Sequence, residues 1–416
     1  MFSRIGSDSQ GWASLLAAGA ALLTALGMAF YPVEVFNASV KGLRLWWEVV
    51  FPSILPFLII AEIMFGLGVV HFLGALLEPL MRPLFNLPGA AAFVVAMGYT
   101  SGFPVGAVLT GRLRRSQLVT RLEGERLLSF TNNASPLFML VAIPVGMLGF
   151  PAAGAYLATV NYATNLMVGL LFRFYGKNRP SPVAWESGLS TPMQSPLRAL
   201  LEGRRSDGRP LGKLMGDAVR TATTNLMVIG GFIVFFSVLL QLLGVLGLWE
   251  GLLREMHRLL GGYLESSLVE GLGTGIWEIT LGCQAVGLAD APLEIKITLI
   301  GFLLGWAGLA IHAQVASMVA DTDLRLTPFV VSRVLHGALA SLALYLGFRF
   351  QLLELAQPTA AVTSRLLDSP WTTSLCWSLK GMGYSLVMLL LLALGCRLQP
   401  GNLRRPQPRV KPPVIF

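Results

Sequence analysis

The chain has 416 residues, of which 54% are hydrophobic and only 13% charged, with a mean hydropathy of +0.66. Soluble domains carry about 25% charged residues, so charge is too sparse to coat a water-soluble body of this size or to keep a chain disordered. The net charge of +9 does not point to nucleic acid, because the basic residues fall in short segments between apolar stretches, as in cytoplasmic loops. An integral membrane protein is expected.

A membrane-crossing helix needs about 20 mostly apolar residues. Residues 12–31 supply the first; they follow a single basic residue, Arg4, and exceed a signal-peptide core, so they are expected to stay as a span. Residues 51–70 supply the second. Residues 90–111 are apolar but rich in glycine and interrupted by threonine, serine and proline. Backbone freed at membrane depth must be satisfied by protein or water, so this stretch is expected to dip in and return as a re-entrant hairpin. A basic loop with Arg112, Arg114, Arg115, Arg121 and Arg126 leads to spans over 127–148 and 152–174.

Residues 177–214, rich in Pro, Ser, Gly and Arg, read as a basic cytoplasmic linker. Beyond it come a span over 226–248, a second Gly-rich hairpin over 268–289, and spans over 295–319, 329–347 and 377–396. With a cytoplasmic N-terminus, every strongly basic segment then falls on the cytoplasmic side. The expected fold is an all-α polytopic membrane protein with about eight transmembrane helices plus two re-entrant hairpins. Its expected divisions are a first helix (12–31), one repeat (40–175), the linker (176–217), a second repeat (218–348), and a last helix with a basic tail (349–416).

The two halves resemble each other. Pro56-Phe57-Leu58-Ile59 matches Gly231-Phe232-Ile233-Val234, and Leu77 through Arg82 matches Leu253 through Arg258. Thr100-Ser101-Gly102 matches Thr280-Leu281-Gly282, and Phe130 to Leu137 matches Phe302 to Leu309. The first repeat starts outside and the second inside, so the repeat is inverted, as in many secondary transporters.

Polar residues at membrane depth are functional candidates by default. In the first hairpin these are Thr100, Ser101, Gly102, Pro104 and Gly106, where glycine permits close approach and proline breaks the helix. A broken helix exposes N–H groups and a positive dipole end that suit an anionic or polar solute. Asn132, Asn133, Ser135 and Pro136 follow, an amide cluster costly in lipid unless it faces a partner or a wet site. Asn161 and Asn165 lie one turn apart and can face the same space. The second hairpin offers Glu278, Thr280 and Gly282, and the following span His312 and Gln314. Glu278 reads as a proton carrier, cation site or substrate contact, or else as the partner of a structural arginine such as Arg333. Packing of small residues and a satisfied core histidine are the plainer alternatives.

No enzyme is expected. The chain lacks a nucleotide-binding GxxxxGK[ST], HExxH, GxSxG or a paired-aspartate site. Cys283, Cys376 and Cys396 have no metal-ligand spacing and the four histidines are scattered, so no metal or other cofactor is expected.

The motifs TSGFPVGA (100–107), LLSFTNNASPLF (127–138), GIWEITLGCQA (275–285) and GLAIHAQV (308–315) resemble, in that order, the Gate (nucleoside-recognition) domain family. Within it they are most similar to the sporulation integral membrane proteins. The resemblance spans about residues 40–345. It implies a polytopic protein of endospore formers with a duplicated gate domain, related in plan to concentrative nucleoside transporters. The implied role is moving dipicolinic acid across the outer forespore membrane into the developing spore without ATP. The residues named above in the four motifs are the ones it carries over. Leu281 and Cys283 stand where smaller or more polar residues would make a better cradle. The implied partners are a small anionic substrate and the lipid bilayer, with a coupling proton or cation and a homo-oligomer left open. A nucleoside-like solute and a non-transporting sporulation scaffold are the alternatives.

Overall fold

The computed structural model describes residues 9–176, 196–260, 262–351 and 353. The chain divides into two units, Met1–Gln357 and Pro358–Phe416. The expected span over 377–396, Cys376, Cys396 and the basic tail lie outside the described residues, as does most of the linker's first half.

Every regular element described is helical. α1 (Ser9–Phe30) carries no charge, and its Leu16, Leu23 and Phe30 are about 67–75% exposed, as suits a lipid-facing helix. α2 (Pro32–Leu45) turns away from it by 104°, with proline in its first turn. A π-helical turn, Trp46–Val50, joins α2 to α3 (Phe51–Gly66). Gly68, at φ +79, then bends the chain by 83° into the amphipathic α4 (Val69–Phe85).

The first hairpin comprises α5 (Ala91–Ser101) and α6 (Val105–Arg115), broken at Gly102–Pro104. α7 (Arg121–Leu128) opens with a capping box in which Thr120 and Glu123 satisfy each other's backbone N–H. Here the structure departs from the expected continuous span over 127–148. The helix unwinds over Ser129–Ser135 and resumes as a π-helical segment, Phe138–Met147. Polar side chains and a proline compete with the backbone ladder, and the freed carbonyls find other donors. α8 (Ala153–Phe172) completes the first repeat.

Part of the expected linker is also ordered: α9 (Pro196–Asp207) packs on α4, with Gly203 against the His71 ring. α10 (Leu211–Val245) starts inside the linker range and runs unbroken for 35 residues. It packs along α2, and the Trp46 indole of the π-helical turn donates to its Leu226 carbonyl at 3.0 Å.

The second repeat has α11 (Leu248–Leu260) and the hairpin α12 (Ser266–Trp277) and α13 (Ile279–Leu288), broken at Glu278. α14 (Leu293–Trp306) and α15 (Gly308–Val319) form a second broken span, hinged at Ala307 with φ +73, and α16 (Thr327–Arg349) closes the unit. The order of elements in the first half therefore recurs. Among the described residues four helical segments are long and apolar enough to cross a membrane, or six if each bent pair counts as one.

Two close contacts fix the relative direction of the repeats. Gly111, near the end of α6, lies against the Met318 carbonyl near the end of α15; Gly287, near the end of α13, lies against the Met147 carbonyl. The broken span from α7 to Met147 therefore runs from the first contact to the second. The span from α14 to Val319 runs back. Exchanging the repeats exchanges the contacts, which is the inverted relation expected from sequence. Gly102, Gly106 and Gly111 correspond to Glu278, Gly282 and Gly287, so the hairpin offset is 176, not the 180 of the Thr100/Thr280 match. Thr280 thus stands opposite Pro104.

Candidate functional site

The unwound stretch of the first broken span lies in the fork of the first hairpin. Gly98 and Gly106 sit so close to the Thr131 carbonyl that a Cβ on either would be 2.1 Å from it. Gly102, at φ +89, faces Ser135 in the same way. Asn132 Oδ1 accepts the Ala107 N–H at 2.9 Å in the first turn of α6, and its Nδ2 donates to the Leu128 carbonyl at 3.2 Å. Glycine at the fork is therefore a requirement of contact.

Arg333, on α16 of the second repeat, reaches this stretch and is fully buried. One terminal nitrogen donates to the Asn132 carbonyl at 2.8 Å and to His336 Nδ1 at 3.3 Å. The other donates to the Ser129 carbonyl and to Asn165 Oδ1, the latter at 2.8 Å. Carbonyls released by the break are thus satisfied by a planar fork of donors. Among the described residues no carboxylate pairs with this guanidinium.

A donor-only arginine also orients its neighbours. Asn165 must turn Oδ1 to it, so Asn165 Nδ2 faces Asn133 Oδ1 and the Phe130 carbonyl, both at 2.5 Å. Asn133 is left with a free NH₂. His336 must accept at Nδ1, so its Nε2 carries the hydrogen and donates to the Asn161 carbonyl at 3.0 Å. Among the described residues, the buried polar atoms of these first-repeat residues and of Arg333 that are left without a partner include Asn133 Nδ2, Arg333 Nε, Ser101 Oγ and both side-chain heteroatoms of Asn161. Unpaired buried groups cost about 1–3 kcal/mol each and call for an occupant. The Tyr99 and Tyr162 rings meet nearby at a tilt of 34°, with centroids 5.1 Å apart, and Tyr162 donates to the Tyr99 carbonyl at 2.9 Å.

In the second repeat the hinge glycine Gly308 packs onto the hairpin break at Trp277 and Ile279. The Trp306 indole donates to the Ile276 carbonyl at 3.0 Å. Glu278 does not pair with Arg333. Its carboxylate accepts the N–H groups of Thr280 at 3.0 Å and Leu281 at 2.7 Å, capping α13. Glu278→Ala is expected to lower stability by about 0.5–2 kcal/mol, the usual cost of a lost N-cap, read as a reduced melting temperature in detergent. His312 bonds the Gly308 carbonyl through Nδ1 at 2.8 Å and leaves Nε2 buried without a partner.

The residues picked from sequence divide accordingly. Asn132 and Asn133, with Gly102 and Gly106 as contact points, come together at the first break, and Ser101, the buried residue before Gly102, ends α5 there. Pro104 precedes α6, and the Ser135 hydroxyl accepts the Phe138 N–H at 3.2 Å beside Pro136. Thr100 is exposed and its hydroxyl turns back to the Ala96 carbonyl at 2.9 Å. Gly282 serves the hairpin's own packing, since a Cβ there would be 2.1 Å from Gly275 Cα. Gln314 is buried on α15. Sequence reasoning mentioned Arg333 only as a partner for Glu278 and missed His336 and Tyr99. An arginine with histidine three positions on, inside an apolar span, was the available signal.

The basic end of the two repeats is tied by ion pairs. Arg114 grips Asp323 at 2.7 and 3.0 Å, Arg115 meets Asp321 at 2.7 Å, and Arg325 grips the fully buried Glu125 at 2.9 and 3.1 Å. Tyr175 adds a bond to Glu125 at 2.9 Å. Burial would push Glu125 up, but the bonds from Arg325, Tyr175 and Arg121 outweigh it and hold its carboxyl below the ordinary value. The bond from Arg114 does the same for Asp323. Depressed carboxyl pKa values stabilise the fold above about pH 4, and the contribution is lost as pH falls through the lower folded values. Glu125→Gln with Asp323→Asn is expected to lower the melting temperature at pH 7 and to flatten its fall below pH 4.

Residues 47–183 match the model of the Gate family, described as nucleoside recognition. The chain is 43% identical over 313 residues to the sporulation integral membrane protein YlbJ of Bacillus subtilis, covering 75% of this chain and 77% of that protein. No solved structure matches. Apolar spans, two broken-helix hairpins and this relative agree: the chain is an integral membrane protein that belongs to the YlbJ family of sporulation membrane proteins.

Proposed function

We propose that the protein carries a small organic anion, dipicolinate, across the outer forespore membrane by an ATP-independent, alternating-access or gated mechanism. One observation carries this reading: a fully buried guanidinium with no carboxylate partner among the described residues, set among unpaired buried groups where the two repeats cross. A buried cation in an apolar surround is costly unless an anion accompanies it. Arg333 Nε, Asn133 Nδ2 and Ser101 Oγ are donors free to bind carboxylate oxygens. The aromatic pair Tyr99 and Tyr162 suits a flat pyridine ring.

Inverted repeats give the route. Rocking one repeat against the other would expose the fork to one side, then the other. The ion pairs of Arg114, Arg115 and Arg325 close the basic end and must part for release or entry there. Glu278 and Thr280 then belong to the scaffold of the second hairpin.

The test is uptake of labelled dipicolinate into proteoliposomes. Asn133→Ala, which removes the free NH₂ and the acceptor for Asn165, is expected to cut flux at least ~10-fold at normal abundance, as for loss of a hydrogen bond to a charged group. Excess uridine should leave wild-type uptake unchanged. Inhibition by uridine would favour a nucleoside-like substrate. Absence of uptake in both orientations under imposed ion gradients would favour a scaffold.

A further inference from the structure

His312 and Arg333 both lie against one aromatic ring, that of Phe329. The imidazole centroid is 5.1 Å from that of Phe329, and the Arg333 guanidinium carbon is 5.6 Å from it. Trp306 covers the imidazole with centroids 4.3 Å apart. A backbone carbonyl only accepts, so the contact with Gly308 requires the hydrogen on Nδ1. Nε2 is then a bare lone pair, buried and unpartnered.

His336 is fixed in the opposite sense. Its Nδ1 accepts from Arg333 and its Nε2 donates to the Asn161 carbonyl, so a second proton would break the arginine contact. Of the two histidines near the site, His312 alone can gain a proton without losing a bond.

We propose that His312 Nε2 is the proton site of the transport cycle, and that a proton binds there together with a ligand carrying two carboxylates. This rests on the anion reading above and deepens it. One carboxylate lies with Arg333, Asn133 and Ser101; the other accepts from the protonated His312. The proton adds to the Nε2 lone pair, the imidazolium keeps its Nδ1–H bond to Gly308, and no other bond changes.

The surrounding charges set the coupling. On α16 the charged neighbour is Arg333, the charge that bears on the imidazole. On α6, Arg112 pairs with Glu62, and Arg114 and Arg115 pair with the aspartates of the basic end. On α10, Asp217 pairs with Arg209, while Lys213 and Arg220 are exposed; Glu270 on α12 is also exposed. Glu278 faces its own helix N-terminus. In the empty site a second cation would therefore meet an uncompensated guanidinium. A dicarboxylate supplies the missing negative charge, so proton and ligand promote each other's binding. A monocarboxylate leaves one pole unmatched.

The experiment is binding of pyridine-2,6-dicarboxylate and of pyridine-2-carboxylate to the full-length protein in detergent, from pH 6 to 8.5, with proton uptake followed in weak buffer. Wild type should bind the dicarboxylate at least ~10-fold more weakly at pH 8.5 than at pH 6 and take up close to one proton per ligand. The monocarboxylate should show little of either. His312→Gln should lose the pH dependence and the proton uptake while melting near the wild-type temperature. Tight dicarboxylate binding by wild type without proton uptake would overturn the role of His312 and leave the anion site standing. No binding of either pyridine carboxylate by folded wild type would instead overturn the anion reading. If His312→Gln does not fold, the wild-type proton count decides alone.

Discussion

Replacing Arg333 with methionine is expected to abolish uptake and to cost stability heavily. The guanidinium satisfies Ser129 O, Asn132 O, Asn165 Oδ1 and His336 Nδ1 in a fully buried position. Methionine matches much of its volume but donates nothing, and breaking a buried charged network by removing one partner costs about 3–5 kcal/mol. Arg333→Lys separates charge from geometry. Lysine keeps the positive charge but cannot hold four acceptors in one plane. It should fold less stably than wild type and transport at least ~10-fold more slowly, about 1.4 kcal/mol per decade. Melting temperature, abundance and proteoliposome flux measured together separate the effects. An Arg333→Met protein that folds and transports normally would contradict the account.

Gly106→Ala is the second large expectation, and it acts through space alone. A single methyl at this position would lie 2.1 Å from the Thr131 carbonyl and 2.6 Å from its carbon. Backbone cannot yield as a long side chain can. The unwound stretch must move, and with it Asn132 and Asn133. Overpacking a well-packed core costs about 1–3 kcal/mol, so a lower melting temperature is expected, together with near-complete loss of flux. Gly146→Ala is the control, because nothing lies within 4 Å of the Cβ it would add. Equal effects of the two substitutions would show that the fork is not a close contact.

Much of this architecture was legible in the sequence. Scarce charge and apolar stretches of span length gave the membrane class, and Gly102, Pro104 and the run Ser129–Pro136 marked both the hairpin tip and the polar stretch. What the sequence hid follows from helical geometry. Asn132 and Asn133 sit within a stretch apolar enough to pass as one span, so the seven-residue unwinding did not show. It depends on Arg333, about 200 positions away, to satisfy the freed carbonyls. The Thr100/Thr280 match slipped by one helical turn. Such a slip returns nearly the same face of a helix, and in a glycine-rich segment the faces look alike. Glu278 reads from sequence as a proton carrier, cation site or substrate contact, yet at the N-terminus of α13 its carboxylate serves as the helix cap. The amphipathic α9 was missed because its apolar positions, Leu197, Ala199, Leu200 and Leu201, are embedded among arginines.

The basic-end ion pairs and the buried fork make different contributions. Exposed pairs such as Arg115 with Asp321 are worth about 0.2–1 kcal/mol, enough to bias a closed state without locking it. On the proposed reading, recognition falls to the fork.

The most direct measurement is equilibrium binding of dipicolinate to the purified protein in detergent, with Ser101→Ala and Asn133→Ala beside wild type. The account expects saturable one-site binding by wild type, weakened at least ~10-fold in Asn133→Ala and less in Ser101→Ala, with both variants melting close to wild type. Wild-type affinity in Asn133→Ala, or binding of uridine with none of dipicolinate, would contradict it.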